Sequence, residues 1–108
     1  MAKLLMIMSK DPFTTETPDL ALNIGCNAVS KGNDVSFYLV EDGVTAARDH
    51  EFGKRLAAVQ KELGIKIYAD DRAVASRGIG DRLIEGVEVR EIGMLLDFIM
   101  DSDRVVWF

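Results

Sequence analysis

The sequence is short of several things that would have pointed to a specific chemistry. It has one cysteine, Cys26, so no intramolecular disulfide can form, nothing calls for an oxidising compartment, and a Cys-rich zinc site is excluded. It has one histidine, His50, with no Cys or Ser partner that spacing identifies. Basic charge is scarce: 13 Lys and Arg stand against 18 Asp and Glu, for a net charge of −5. Binding to nucleic acid runs on basic side chains that neutralise phosphates. The scattered basic residues here, with Lys54-Arg55 the only adjacent pair, argue against that partner and against an anionic membrane surface. No long apolar run is present. Leu4 to Met8 is bounded by Lys3 and Ser9-Lys10, too short for a signal-peptide core or a membrane span. By elimination, a cytoplasmic location is expected. The phosphate-binding patterns G-x-G-x-x-G and G-x-x-x-x-G-K-[ST] do not occur, leaving only the glycine loop Arg77-Gly78-Ile79-Gly80, which does not open from a strand.

What is there reads as one α/β domain over residues 1–108, a length that supports one modest core. Hydrophobic residues make up 48% and charged residues 29%, which is globular composition and not disorder. Leu4–Met8, Val35–Val40, Ile65–Ala69, Val87–Arg90 and Arg104–Phe108 read as strands, being short apolar or β-branched runs. Between them, helical spacing predicts a helix after Thr17 as N-cap and Pro18, stopped at Lys31-Gly32-Asn33. A second helix is predicted over Glu51–Leu63, stopped by Gly64, and a short one over Arg72–Ser76, capped by Asp70 or Asp71. Helix is also expected over Asp81–Glu85. The last helix is expected over Glu91–Met100, with Ile92, Leu95, Leu96 and Ile99 turned inward. Strands alternating with helices imply a three-layer α/β/α sandwich around a five-stranded, mainly parallel sheet.

In an open parallel sheet, ligands bind outside the carboxyl ends of the strands. That rule selects Ser9, Lys10 and Asp11 after the first strand and Glu41, Asp42 and Gly43 after the second. It adds Asp70 and Asp71 after the third and Glu91 after the fourth. Of these, Ser9, Lys10, Asp11, Glu41, Asp42 and Asp71, with Arg77 and Gly78 of the glycine loop, form the candidate pocket. Two readings of the rim acids stay open. Asp11, Asp42 and Asp70 could converge on a divalent cation, or each could cap a helix or shape a turn. A phosphoacceptor receiver site is set aside, because it wants paired acids at the end of the first strand, where this chain has Met8-Ser9-Lys10. Cys26 sits mid-helix between Leu22 and Val29, as a small core hydrophobe would, and is expected to be buried. Trp107 and Phe108 could plug the core or lie in a subunit interface.

The chain resembles the DsrE/DsrF-like family of sulfur-relay proteins along essentially its whole length. The resemblance rests on Gly64-Ile65-Lys66-Ile67-Tyr68-Ala69-Asp70 through Ser76-Arg77-Gly78-Ile79, on Glu85-Gly86-Val87-Glu88-Val89 and on Ile92-Gly93-Met94-Leu95. The closing Ser102-Asp103-Arg104-Val105-Val106-Trp107-Phe108 and the turn Glu41-Asp42-Gly43-Val44 add to it. In sulfur-carrying members a cysteine just after the third strand holds a persulfide. Counting from Gly64 and from Gly78 puts that position at Asp70, and a carboxylate cannot carry sulfane sulfur. Cys26 lies on another element and is not a shifted copy. The resemblance therefore implies a non-catalytic subunit, or a small-ligand or partner-binding protein, linked to intracellular sulfur relay. It implies no cofactor or metal, homotrimers or hexamers, and other sulfur-relay proteins as possible partners. Two rivals remain: a metal-binding domain or enzyme using the acidic rim, and a thiol protein acting through Cys26.

Overall fold

A computed structural model describes all residues, 1–108. The strands are β1 (Lys3–Met8), β2 (Asp34–Leu39), β3 (Lys66–Asp70), β4 (Glu88–Arg90) and β5 (Arg104–Trp107). The helices are α1 (Thr17–Ser30), α2 (Glu51–Leu63), α3 (Asp71–Ser76) and α4 (Ile92–Asp101), and a 3-10 helix spans Glu41–Ala47. The five strands form one sheet in the order β4-β3-β2-β1-β5. All four pairings are parallel, so "mainly parallel" becomes wholly parallel. The apolar runs dictate this: β1 and β2 are buried on both faces, as central strands of a covered parallel sheet must be.

Alternate residues feed two cores. Met6 and Met8 of β1, Val35, Phe37 and Leu39 of β2, and Ile67 and Ala69 of β3 face one side. There they meet Ala21 and Leu22 of α1, Phe52 and Leu56 of α2, and Ala73 and Val74 of α3. Leu5, Ile7, Tyr38, Val40 and Tyr68 face the other side, where Leu95 of α4 closes on them with Phe98 and Ile99. The rings of Tyr68 and Phe98 lie 4.5 Å apart, and Tyr38 is 5.9 Å from Phe98. Each such aromatic contact contributes about 0.5–1.5 kcal/mol beyond its buried area, which pins α4 to the sheet.

Helix ends follow the local chemistry. α2 stops at Gly64, whose φ of 73° is the left-handed conformation that glycine adopts without steric cost. His50 caps its other end, Nδ1 accepting from the Gly53 N–H at 3.2 Å, so the lone histidine has a capping role. α1 begins one residue earlier than Thr17 would set it: Glu16 is the N-cap and the Thr15 hydroxyl accepts the Thr17 N–H.

Two expectations fail. Asp81–Glu85 is not helical. The Ile84 N–H donates to the Ala47 carbonyl and the Asp49 N–H to the Arg82 carbonyl, and Arg48 bridges to Leu83. Those long-range bonds hold the segment extended against the end of the 3-10 helix. On α4, Leu95 is buried and Ile99 half-buried, but Ile92 is 52% and Leu96 61% exposed. The face beneath α4 accommodates a narrower stripe than the sequence offers. No helix is long and apolar enough to cross a membrane.

Candidate functional site

The carboxyl ends of the strands build the rim from the centre outward. At the end of β3, Asp70 is the N-cap of α3: its Oδ2 accepts the Ala73 N–H at 3.2 Å. Its Oδ1 is buried with no hydrogen-bond partner. A buried carboxylate oxygen without a donor costs about 1–3 kcal/mol or more, so the rim keeps a polar atom unsatisfied at its centre. Asp71, next in the chain, is exposed in the first turn of α3.

At the end of β2 the chain turns abruptly. Glu41 has a φ of 49°, the only positive value at a non-glycine residue, a conformation that costs on the order of 1 kcal/mol or more. Gly43 then passes so close to β1 that a Cβ there would lie 2.0 Å from the Met8 carbonyl oxygen. No other residue fits without moving the backbone, so the two strand ends are held together here. Asp42 Oδ1 accepts from Arg77 Nη2 at 2.7 Å, tying this turn to the glycine loop. Arg77 is oriented by Nη1, which donates to the Ala73 carbonyl and to Ser76 Oγ. The pair is largely solvated on the Asp42 side and contributes at most about 1 kcal/mol. Its role is to fix the position of a guanidinium.

At the end of β1, Ser9 donates both its N–H and its hydroxyl to the Phe108 main-chain oxygen, at 2.9 and 2.8 Å. Asp11 shapes the next turn, its Oδ1 accepting the Phe13 N–H at 2.9 Å. Lys10 is exposed. At the end of β4, the main-chain oxygen of Glu91 accepts from the Tyr38 hydroxyl at 2.9 Å. Burial first, and then the negative charges of Asp70 and Asp71, together push the Tyr38 phenol up to about 12.

The structure thus joins Asp42 to Arg77 and sets Asp70 and Asp71 near Tyr38. It leaves Lys10, Glu41 and Gly78 exposed at the rim without drawing them into one cluster. Asp11, Asp42 and Asp70 do not converge: each has a separate turn, ion-pair or capping role, and no three acid, imidazole or thiol groups are placed to share a metal ion. The metal reading of the rim therefore has no geometry behind it. Cys26 is half-buried against the larger core and not fully buried as expected.

Sequence reasoning missed two features. Tyr38 reaches the rim from inside β2, which strand alternation with Val40 could have indicated. The other is a hollow of about 420 Å³ beside the N-terminus of α2, lined by Phe13, Arg48, Asp49, His50, Asp81 and Arg82. Its walls come from three separate segments, which no local pattern could have assembled.

Comparison with known proteins now adds to this geometry. The sequence profile of the DsrE/DsrF-like family matches residues 2–108. The chain belongs to that family. An uncharacterised protein of Methanopyrus kandleri is 27% identical over 95% of this chain and 91% of its own length. One of Methanocaldococcus jannaschii is 28% identical over 98% of this chain and 99% of its own. Among solved structures, the ychN protein of E. coli superposes with a TM-score of 0.90 at 20% identity, with full coverage of both chains. A protein of unknown function from Methanobacterium thermoautotrophicum gives 0.84 at 17% identity, again with full coverage of both. These structural matches establish the DsrE-like α/β fold for this chain.

Proposed function

We propose that this DsrE-like chain is a non-catalytic subunit, or a small-ligand or partner-binding protein, linked to intracellular sulfur relay. In this reading Asp70 stands where sulfur-carrying relatives hold their persulfide cysteine. The observation that carries it is the state of Asp70. Its side chain is a helix cap with one oxygen buried and unpartnered, and a carboxylate has no sulfur nucleophile to load. The only thiol, Cys26, lies in the middle of α1 and not at the carboxyl rim. A reactive thiolate wants a helix N-terminus or a neighbouring cation, so Cys26 is read as structural. What remains at the rim for a ligand or partner to meet is the anchored Arg77 guanidinium and the exposed side chains of Lys10, Glu41 and Asp71.

Homo-oligomers, trimers or hexamers, are part of this reading, as is association with sulfur-relay proteins that do carry the cysteine. The test is direct. The purified chain is incubated with a cysteine desulfurase and cysteine, then measured by intact-protein mass spectrometry. No added sulfur is expected. A stoichiometric sulfur adduct on Cys26 would replace this reading with that of a thiol carrier.

A further inference from the structure

We propose that the side of the sheet bearing β5 and the outer flank of α4 is covered by a second copy of this chain. The inference rests on the homo-oligomeric reading above and names the surface that makes it.

The two edges of the sheet are built differently. An edge strand carries unpaired backbone groups, and stable proteins guard it with charges or cover. The β4 edge is guarded: Glu88 and Arg90 flank Val89 and pair with each other at 2.5 Å. The β5 edge is not. After Arg104 it reads Val105-Val106-Trp107, with no proline, glycine or charge, and all four of its residues are exposed. Val105 and Trp107 pair with Leu5 and Ile7 of β1, so they lie on the face that α4 covers. Trp107 is 61% exposed there. α4 adds Ile92, Leu96 and Met100, spaced by four residues along one flank and exposed at 52, 61 and 79%. Its carboxylates Asp97 and Asp101 fall on the other flank by helical spacing, and Asp101 is paired with Lys3.

The amount of surface fits a copy of the same chain. At these exposures, Ile92, Leu96, Met100, Val105 and Trp107 present on the order of 500 Å² of apolar area, near the upper limit for one patch on a stable monomer. A standard interface takes about 800 Å² from each partner, of which roughly 65% is apolar in homo-oligomers. That is also about 500 Å². Charge points the same way. A chain of net charge −5 repels its own copies through most of its surface, and this patch is uncharged, so two copies can meet on it without opposing carboxylates.

Light scattering on a sizing column tests the assignment, with the single tryptophan as an internal probe. Wild type is expected to run at a multiple of the 12.0 kDa chain mass, with blue-shifted Trp107 emission. Leu96→Glu and Met100→Glu alter side chains already open to solvent, so each folds while lowering the mass and shifting the emission to the red. Leu20→Glu, on the exposed side of α1 (Leu20 is 56% exposed), should leave both unchanged. A wild-type mass of one chain would refute the homo-oligomeric reading itself. A wild-type multimer that Leu96→Glu and Met100→Glu leave intact would refute only this surface, as would dissociation by Leu20→Glu alone.

Discussion

Replacing Asp70 with serine should make the protein more stable. The Asp70 carboxylate does two things of opposite sign. Oδ2 caps α3 through the Ala73 N–H, worth about 1 kcal/mol against alanine. Oδ1 is buried without a donor, at a cost of about 1–3 kcal/mol. Serine ranks with aspartate as an N-cap and has no second oxygen to strand. Asp70→Ser should therefore gain about 1–3 kcal/mol, and Asp70→Ala should fall between wild type and serine because it forfeits the cap. For a domain of about 100 residues, 1 kcal/mol corresponds to roughly 4–8 °C in Tm. Urea unfolding followed by circular dichroism, at one fixed chain concentration, would show the midpoint rising with an unchanged slope. A serine variant less stable than wild type would refute the reasoning, as would an alanine variant equal to serine. If the gain is found, the native carboxylate is kept at a cost in stability, as expected of a residue retained for what it meets.

Other outcomes follow from the same geometry. Gly43→Ala would drive a Cβ into the Met8 carbonyl and should cost about 3 kcal/mol, measured as a fall in the urea midpoint. The Tyr38 phenol titrates near 12 in the folded chain against 10.0 when free. Stability is therefore unaffected by this group below pH 10, and up to roughly 3 kcal/mol is lost as pH rises from 10 through 12 and the buried phenol is forced to ionise. Tyr38→Phe should remove that alkaline loss in a pH series of melts, while costing about 1 kcal/mol at neutral pH for the missing bond to Glu91. His50→Ala should cost about 1 kcal/mol by uncapping α2, seen as faster hydrogen exchange in its first turn.

The layered fold was legible because its signals are local. The apolar run Leu4–Met8 could only be a covered strand, Gly64 could only end a helix, and the strand–helix alternation left a parallel sheet as the consistent solution. Asp70 as a cap was also readable, since an acid between a strand and a helix has that use. The failures share a different cause. Asp81–Glu85 has the composition of a helical turn, but its backbone bonds go to residues 47–49, more than 30 positions away. The Asp42–Arg77 pair spans 35 positions and joins two loops that no periodicity links. Ile92 and Leu96 obey helical spacing yet face outward, because hydrophobic patterning reports that a side chain wants cover without saying whether the same chain supplies it.

In the proposed function, Asp70 stands where sulfur-carrying relatives hold their cysteine. Asp70→Cys puts the thiol back at the end of β3, at the N-terminus of α3. After incubation with a cysteine desulfurase and cysteine, intact mass and peptide mapping should find one added sulfur at position 70 of the variant and none on wild type. Sulfur on Cys26 in both proteins, with none at position 70, would contradict the account.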